Sequence, residues 1–384
     1  MDKLMGSGRI RELDGLRALA VLGVISFHYT LGTPLENRAS ALGWAGVDLF
    51  FVLSGYLITG LLLKARERER YFSTFYARRT LRIFPVYYLL LGFYFFAARI
   101  GGGAQPLAYW GMHAAFLSST VEFYRSWNFA APGFVYAGVT VLWSLSIEEQ
   151  FYLLWAPLVR WVPRRALGWV LGGIVVAAPA MRWRLHTAAF PEYRFFPARI
   201  DSLAWGALLA VLLAHGRART ASNQALAPWL GRGCAAALGG FAVLWLATGG
   251  DRASAAFAAC GYSVLGILFA GVVGWCVVRA GSRGWICRGL RLRPAQYLAK
   301  ISYTLYLVHY PVLLAVGGWV AWGAGGWGIA GRDVLSLGLA MGIAAASWRW
   351  IEAPCLAFKE RWAPDGARAA EPVRPALRTH GVVA

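Results

Sequence analysis

The amino-acid sequence predicts an all-α, polytopic transmembrane bundle of about ten spans with both termini in the cytoplasm. Hydrophobic residues occupy 58% of the 384 positions and charged residues 15%, whereas about 25% of the residues in a soluble domain are charged. The mean hydropathy is +0.50. Aromatic residues, which favour membrane interfaces, make up 15% of the chain, and its 45 glycines suit close packing of helices in lipid. This composition excludes a soluble globular domain.

Ten apolar stretches are long enough to cross a bilayer. They lie at about residues 13–33, 43–63, 83–101, 142–161, 166–181, 199–216, 229–249, 255–278, 301–323 and 334–358. An eleventh stretch, 106–119, is short and contains Tyr109 and His113, so we place it in the membrane interface. The first stretch carries Arg17 and His28 and has no convincing cleavage site, so we expect a retained span rather than a signal peptide.

The distribution of arginine predicts the orientation. With the N-terminus inside, the cytoplasmic loops carry most of the arginines, which satisfies the positive-inside rule for ten spans but not for eleven. The net charge of +20 then faces an anionic lipid leaflet or an anionic cosubstrate, and we expect no nucleic-acid partner. Residues 1–362 form the predicted membrane domain, and residues 363–384 form a disordered basic cytoplasmic tail.

Arg17 and His28 are the first candidate functional residues. Eleven residues at about 100° each complete about three turns, so both side chains lie on one face of the first helix. They are separated by about 16 Å along its axis, which puts the guanidinium near one membrane surface and the imidazole deep towards the other. An ionisable group inside a membrane costs about 2.5–3.5 kcal/mol and is a functional candidate by default. The alternative for His28 is a structural hydrogen bond to a neighbouring helix.

The next polar positions lie at opposite ends of the following loops and spans. Asp48 is predicted near the outer end of the second span, at a depth similar to His28, where a carboxylate fixes the tautomer of an imidazole. Alternatively, Asp48 caps its own helix. Arg78, Arg79 and Arg82 precede the third span at the cytoplasmic surface. They form either a phosphate clamp or ordinary positive-inside charge.

Polar residues also interrupt three later spans. Glu148 and Glu149 are adjacent, so their side chains point about 100° apart and cannot both face one pocket well. One of them is expected to do chemistry or to pair with arginine, and a structural ion pair is the alternative. Arg199 and Asp201 open the seventh span, where they pair with the carboxylates, contact a polar acceptor or begin the helix. His309 lies in mid-membrane.

Taken together, these stretches resemble the bacterial acyltransferase-three family of integral-membrane O-acyltransferases. The motifs that carry the resemblance are Asp14-Gly15-Leu16-Arg17 followed by His28, the run from Gly46 to Gly55, Arg78-Arg79 with Arg82 and Pro85, Ser146-Ile147-Glu148 with Gln150-Phe151-Tyr152, Arg199 with Asp201, and Ser302-Tyr303 with His309 and Pro311. The resemblance covers residues 9 to 358. Some members carry an extra span and an esterase-like domain, whereas this sequence ends after its tenth predicted span, so we expect the stand-alone form.

The resemblance implies transfer of an acyl group, usually acetyl, from cytosolic acyl-coenzyme A to a hydroxyl of a cell-surface or lipid-linked glycan, in the bacterial inner membrane. Acyl-CoA is then a cosubstrate, with no permanently bound cofactor, and the oligomeric state stays open. The residues expected to bind the donor are Arg17, Ser54, Tyr56, Arg78, Arg79 and Arg82. The pantetheine arm is expected to follow the face between Arg17 and His28.

The resemblance also implies roles in the reaction. His28 is expected to deprotonate the acceptor hydroxyl as a general base, or to carry the acyl group transiently. Asp48 or Glu148 is expected to orient it, and the motif favours Glu148 over Glu149. The residues expected to contact the acceptor are Glu149, Tyr152, Arg199, Asp201, Tyr303 and His309, with Arg199 steadying an oxyanion or the sugar.

The residues alone leave other functions open. A small lipophilic metabolite such as a macrolide sugar offers the same hydroxyl chemistry. A proton-coupled transporter or flippase would use His28, Glu148 and Asp201 as a proton relay. The sequence contains no GxSxG, HExxH or Walker motif, and its five cysteines lack metal-binding spacing, so no metal site is predicted.

Overall fold

The structure is a computed structural model that describes residues 9–102, 105–120, 133–186, 193–215, 226–319 and 326–362. Within these ranges the secondary structure is helical and includes no β-strand, which confirms the predicted all-α class. The predicted tail at 363–384 lies outside the described residues.

The helices follow one another with short connections. They are α1 (Arg11–Thr30), α2 (Arg38–Ala41), α3 (Gly46–Ala65), α4 (Tyr71–Ile100), α5 (Leu107–Ala114), α6 (Gly133–Thr140), α7 (Leu142–Trp161), α8 (Arg164–Leu185), α9 (Phe196–His215), α10 (Ala227–Ala247), α11 (Ala255–Val278), α12 (Trp285–Leu290), α13 (Arg293–Trp319), α14 (Gly326–Ser347) and α15 (Ala353–Trp362). A 3-10 turn (Gly43–Ala45) leads into α3, and a π-helical segment (Trp348–Glu352) joins α14 to α15.

Eight helical segments among the described residues are long and apolar enough to cross a membrane. The two remaining predicted spans coincide with α1 and α7, which have 20 residues each and carry the charged residues of the candidate site. Helix α5 has eight residues, about 12 Å, and is too short to span, as predicted. The protein is therefore a multi-pass membrane protein, while the count of ten and the cytoplasmic termini stay predictions.

Helix α4 begins earlier than the sequence predicts. The expected span started at residue 83, with Pro85 at its beginning, but α4 starts at Tyr71 and Pro85 lies inside it. Neighbouring helices in a membrane bundle re-satisfy backbone groups that a proline frees, so a proline does not have to end the helix. The arginine cluster at 78–82 therefore belongs to the helix itself, where residues three apart share a face.

Glycines let α3 approach its neighbours closely. A Cβ atom at Gly55 would lie 1.9 Å from the carbonyl oxygen of Leu203, and one at Gly206 would lie 2.0 Å from that of Val52, so the backbones of α3 and α9 touch. On the other side of α3, Gly46 packs in the same way on α1. Small residues at helix contacts are the usual means of close packing in lipid. This packing places α3 between α1 and α9.

A buried ion pair joins α8, α9 and α11. The guanidinium of Arg182 donates to both carboxylate oxygens of Asp201, at 2.9 and 3.0 Å, and both side chains have no exposed surface. Ser263 donates to the same carboxylate at 2.6 Å, and Arg182 also donates to the carbonyl of Ala258. The carboxylate and guanidinium are therefore widely hydrogen-bonded, as a buried pair must be.

We predict that Gly206→Ala destabilises the protein, because the new methyl group has to push apart the backbones of α3 and α9. Overpacking of this kind costs about 1–3 kcal/mol. The matched control is Gly172→Ala in α8, where a Cβ atom meets nothing within 4 Å. Thermal unfolding in lipid nanodiscs should show a lower midpoint for Gly206→Ala and an unchanged or higher midpoint for Gly172→Ala. Equal midpoints would contradict the close α3–α9 contact.

Candidate active site

A cavity of about 480 Å³ lies between α1, α3, α4, α7 and α13. The predicted site residues that line it are Arg17, Ser54, Tyr56, Arg79, Arg82, Glu148, Tyr152 and Tyr303. Along α3 the lining runs from Lys64 to Phe50, a length of about 21 Å for an α-helix. We call this the central cavity.

The central cavity carries an excess of positive charge. Its lining contains five cationic side chains, those of Arg9, Arg17, Lys64, Arg79 and Arg82, and the two carboxylates of Asp14 and Glu148. Asp14 lies at the mouth, where it pairs with Arg9 and, at 3.7 Å, with Arg17. Guanidinium groups bind phosphate oxygens with two parallel hydrogen bonds, so the charge excess suits a polyanionic ligand.

A hydrogen-bond chain fixes Glu148 in the cavity wall. The hydroxyl of Tyr152 donates to the Glu148 carboxylate at 3.2 Å and lies 2.5 Å from the hydroxyl of Ser54. Because the proton of Tyr152 is used by Glu148, Ser54 donates to Tyr152. The guanidinium of Arg79 lies 5.7 Å from the centre of the Tyr152 ring, within cation–π distance. Residues from α3, α4 and α7 are thus held together at mid-cavity.

His28 and His309 form a hydrogen-bonded pair, with Nδ1 of His28 3.0 Å from Nε2 of His309. We call it the histidine pair. His28 lies near the end of α1, and its ring stacks on that of Tyr310 at 4.6 Å. His309 lies in α13 and is completely buried, whereas His28 is partly exposed. The face of α1 that carries Arg17 and His28 is the face packed against α13.

The surrounding carbonyl groups determine the tautomers of the histidine pair. Nδ1 of His309 lies 2.7 Å from the carbonyl oxygen of Tyr306, and Nδ1 of His28 lies 3.0 Å from that of Val24. A carbonyl oxygen only accepts, so both Nδ1 atoms carry protons. Nε2 of His309 is then free to accept from His28. Nε2 of His28 keeps its lone pair and makes no hydrogen bond to any residue in the described part of the chain.

The histidine pair and the central cavity are neighbours without sharing a wall. Tyr306 lines the cavity with its side chain and accepts the hydrogen bond of His309 with its backbone carbonyl. His28 and His309 are not among the described residues that line the cavity. One turn of α13 therefore separates the end of the cavity from the imidazole that has a free lone pair.

The structure corrects the expected orienting partner of His28. Asp48 accepts hydrogen bonds from Arg199 at 2.8 Å and from Ser202 at 2.9 Å, and it is completely buried. The close contact of α3 with α9 turns Asp48 towards α9, whereas His28 faces α13. Glu148 lies in the central cavity and is held by Tyr152. The catalytic assignments of Asp48 and Glu148 stay predictions.

Arg199 and Asp201 both lie inside the bundle and pair with other helices. Arg199 pairs with Asp48, and its guanidinium lies 3.9 Å from the centre of the Tyr262 ring. Two nitrogens of Arg199 and one oxygen of Asp48 are buried without a hydrogen-bond partner among the described residues. Asp201 belongs to the pair with Arg182. Of the three alternatives from sequence, pairing describes Arg199, and neither residue reaches the central cavity, so the predicted acceptor contacts stay predictions.

Two other predicted residues lie outside the cavity lining. Glu148 faces the cavity while Glu149 does not, which agrees with the 100° between adjacent helical side chains. One oxygen of Glu149 is buried without a hydrogen-bond partner within the described ranges. On α4, Arg79 and Arg82 line the cavity, and Arg78 is not part of the described lining. The predicted phosphate clamp therefore reduces to two arginines three residues apart.

Sequence reasoning missed Phe50, Ser144 and Tyr306, which line the central cavity. A signal for Tyr306 was present, because it is three residues after Tyr303 and three before His309, so one face of α13 carries all of them. Phe50 and Ser144 are surrounded by apolar residues in the sequence and give no comparable signal.

Comparison with known proteins follows from this geometry. A family model described as an acyltransferase domain matches residues 10–348. The peptidoglycan O-acetyltransferase of Listeria monocytogenes is 28% identical over 377 aligned positions, which cover 90% of this chain and 55% of the relative. A putative peptidoglycan O-acetyltransferase of Bacillus subtilis is 30% identical over 329 positions, covering 79% of this chain and 49% of the relative. An O-acetyltransferase of Staphylococcus aureus is 26% identical over 386 positions, covering 92% and 58% respectively.

The chain thus spans about half the length of the curated relatives it matches. No solved structure matches the chain. The family model, by contrast, covers most of the 384 residues, including the helices of the central cavity and the histidine pair. The chain belongs to the acyltransferase-three family of membrane O-acyltransferases.

Proposed function

We propose that this protein transfers an acyl group, acetyl in the first instance, from acyl-CoA to a hydroxyl of a cell-wall glycan. The observation that carries the proposal is an imidazole with a free lone pair, His28, one helical turn from the end of a cavity rich in positive charge. The likeness to the peptidoglycan O-acetyltransferases of Listeria and, as a putative one, Bacillus supports a cell-wall acceptor.

The donor fits the central cavity in charge and in length. The cationic side chains of the lining, Arg82 and Arg79 among them, would bind the diphosphate, as guanidinium groups do in other phosphate sites. The pantetheine arm would then extend along α3, past Glu148 and Tyr152, over the distance of about 21 Å between Lys64 and Phe50. We assign Glu148 to this donor path, where its carboxylate accepts from Tyr152 and is available to an amide of the arm.

The acceptor hydroxyl reacts at the histidine pair. Nε2 of His28 takes the hydroxyl proton while the oxygen attacks the thioester carbonyl, and the tetrahedral intermediate expels the thiolate of coenzyme A. The proton on Nε2 then passes to the thiolate, which regenerates neutral His28. His309 acts as a positioning residue, because its Nε2 accepts from Nδ1 of His28 both before and after the proton transfer. General-base catalysis of this kind contributes about 10²–10⁴-fold.

The arrangement implies a direction across the membrane. Acyl-CoA is cytosolic, so the cationic mouth of the central cavity would face the cytoplasm, and the end of α1 that carries His28 would face outwards. The positive-inside distribution of arginine supports this orientation. We therefore place the protein in the bacterial inner membrane, with a glycan acceptor reaching His28 from the outer side.

We predict that His28→Ala lowers the rate of acetyl transfer by about 10²–10⁴-fold, because it removes the general base. The assay uses purified protein in nanodiscs with acetyl-CoA and a peptidoglycan disaccharide, and it measures both released coenzyme A and O-acetyl product. The matched control is His186→Ala, a change at the end of α8 away from the site, with the wild-type rate expected. Equal rates in the His28→Ala and wild-type proteins would remove His28 from the chemistry. No turnover by the wild-type protein would favour the transporter class.

We predict that Arg82→Gln weakens binding of coenzyme A by about tenfold, the loss expected for one hydrogen bond to a charged group. Titration calorimetry in nanodiscs measures the dissociation constant at two salt concentrations, because screening reduces the contribution of the charge. Arg165→Gln, an exposed position at the start of α8, is the matched control and should bind like the wild type. Equal affinities for the Arg82 and Arg165 variants would exclude Arg82 from the donor site.

A further inference from the structure

Three side chains close the central cavity at the end nearest the histidine pair. They are Phe50 of α3, Ser144 of α7 and Tyr306 of α13, and we call them the end wall. The hydroxyls of Ser144 and Tyr306 are 2.7 Å apart and hydrogen-bonded. The Phe50 ring meets the Tyr306 ring edge-on, with centres 6.1 Å apart. Each residue comes from a different helix, so the wall is a contact of the whole bundle.

The packing around the end wall holds its side chains in place. Ser144 and Tyr306 are buried, and the Tyr306 hydroxyl also reaches the carbonyl of Val141 at 3.4 Å. The backbone carbonyl of Tyr306 is the acceptor that fixes the tautomer of His309. The wall and the base therefore share one residue, and a group that displaces Tyr306 also disturbs the histidine pair.

The position of the wall relative to the donor path limits the acyl group. A pantetheine arm that runs along α3 from the cationic lining brings its thioester to Phe50, where the lining ends. The acyl carbons extend beyond the thioester carbonyl, towards the two aromatic rings. An acetyl group adds one methyl there, whereas each further methylene has to displace a ring in a packed interior, which proteins resist.

We propose that the end wall sets the acyl length, so that Phe50, together with Tyr306 and Ser144, restricts the enzyme to acetyl-sized groups. This inference rests on the proposed function, because it requires acyl-CoA in the central cavity. It makes Phe50 a specificity-determining residue rather than a catalytic one. The ring acts by excluding volume, and its removal creates space directly beyond the thioester.

The test compares acetyl-CoA with hexanoyl-CoA as donors for the wild-type protein and for Phe50→Ala in nanodiscs. The measured quantity is kcat/KM for coenzyme A release in the presence of a peptidoglycan disaccharide. We expect the ratio of hexanoyl to acetyl activity to rise by about 10-fold to 100-fold in Phe50→Ala, within the range that changes of one or a few methylenes produce in apolar pockets. Phe50→Val is expected to give a smaller rise, and it replaces Phe50→Ala if that variant does not fold.

Two controls separate exclusion of volume from general damage. Phe50→Leu keeps most of the bulk and is expected to keep the preference for acetyl. Phe96→Ala removes the same ring from a position on α4 that is 65% exposed and far from the lining, so it should leave the ratio at the wild-type value. A rise in Phe96→Ala equal to that in Phe50→Ala would overturn the inference.

The outcomes distinguish this inference from the proposed function. If the wild-type protein releases coenzyme A from neither donor, the proposed function fails. If the wild-type protein uses acetyl-CoA, and Phe50→Val and Phe50→Ala leave the ratio unchanged, acyl transfer stands and the end wall does not set acyl length. A wild-type protein that uses both donors equally would also overturn the inference.

Discussion

The bilayer supplies no water to an ionisable side chain inside the bundle, so each such group depends on a partner from another helix. Asp201 is satisfied by Arg182 across α8 and α9, and Asp48 by Arg199 across α3 and α9. These pairs have no exposed surface, and they hold the scaffold together. Glu148 is different, because it is held by a neutral tyrosine hydroxyl and lines a cavity. The constraint thus separates the polar residues into structural pairs and groups available to a ligand.

Helix α13 connects the two parts of the candidate site. Its residue Tyr303 lines the central cavity, Tyr306 closes the cavity and also binds His309, and His309 holds His28. A donor held by cationic side chains on one side of Tyr306 and a base on the other side are therefore coupled through three residues of one helical face. This geometry explains why an acyltransferase of this kind needs a histidine without a carboxylate next to it: a second, neutral imidazole provides the acceptor.

Periodicity and charge predicted the class, most helix positions and the residues that face the ligand, because these depend on each helix separately. The common face of Arg17 and His28 is one example, and the opposite directions of Glu148 and Glu149 are another. The partners of each residue were not predictable in this way, since they depend on which helices become neighbours. Asp48 was expected beside His28 at a similar depth, but the glycines of α3 bring it against α9 instead. Depth in the membrane follows from sequence, whereas the order of helices around the bundle does not.

The central claim is that His28 presents an unprotonated Nε2 because His309 accepts the proton of its Nδ1. Solid-state NMR of protein labelled with ¹⁵N-histidine in lipid bilayers measures this directly, with His28→Gln and His309→Gln spectra assigning the two residues among the six histidines. The account predicts neutral rings with protonated Nδ1 at both positions and a coupling between Nδ1 of His28 and Nε2 of His309. A His28 ring protonated at Nε2, or one without that coupling, would contradict it.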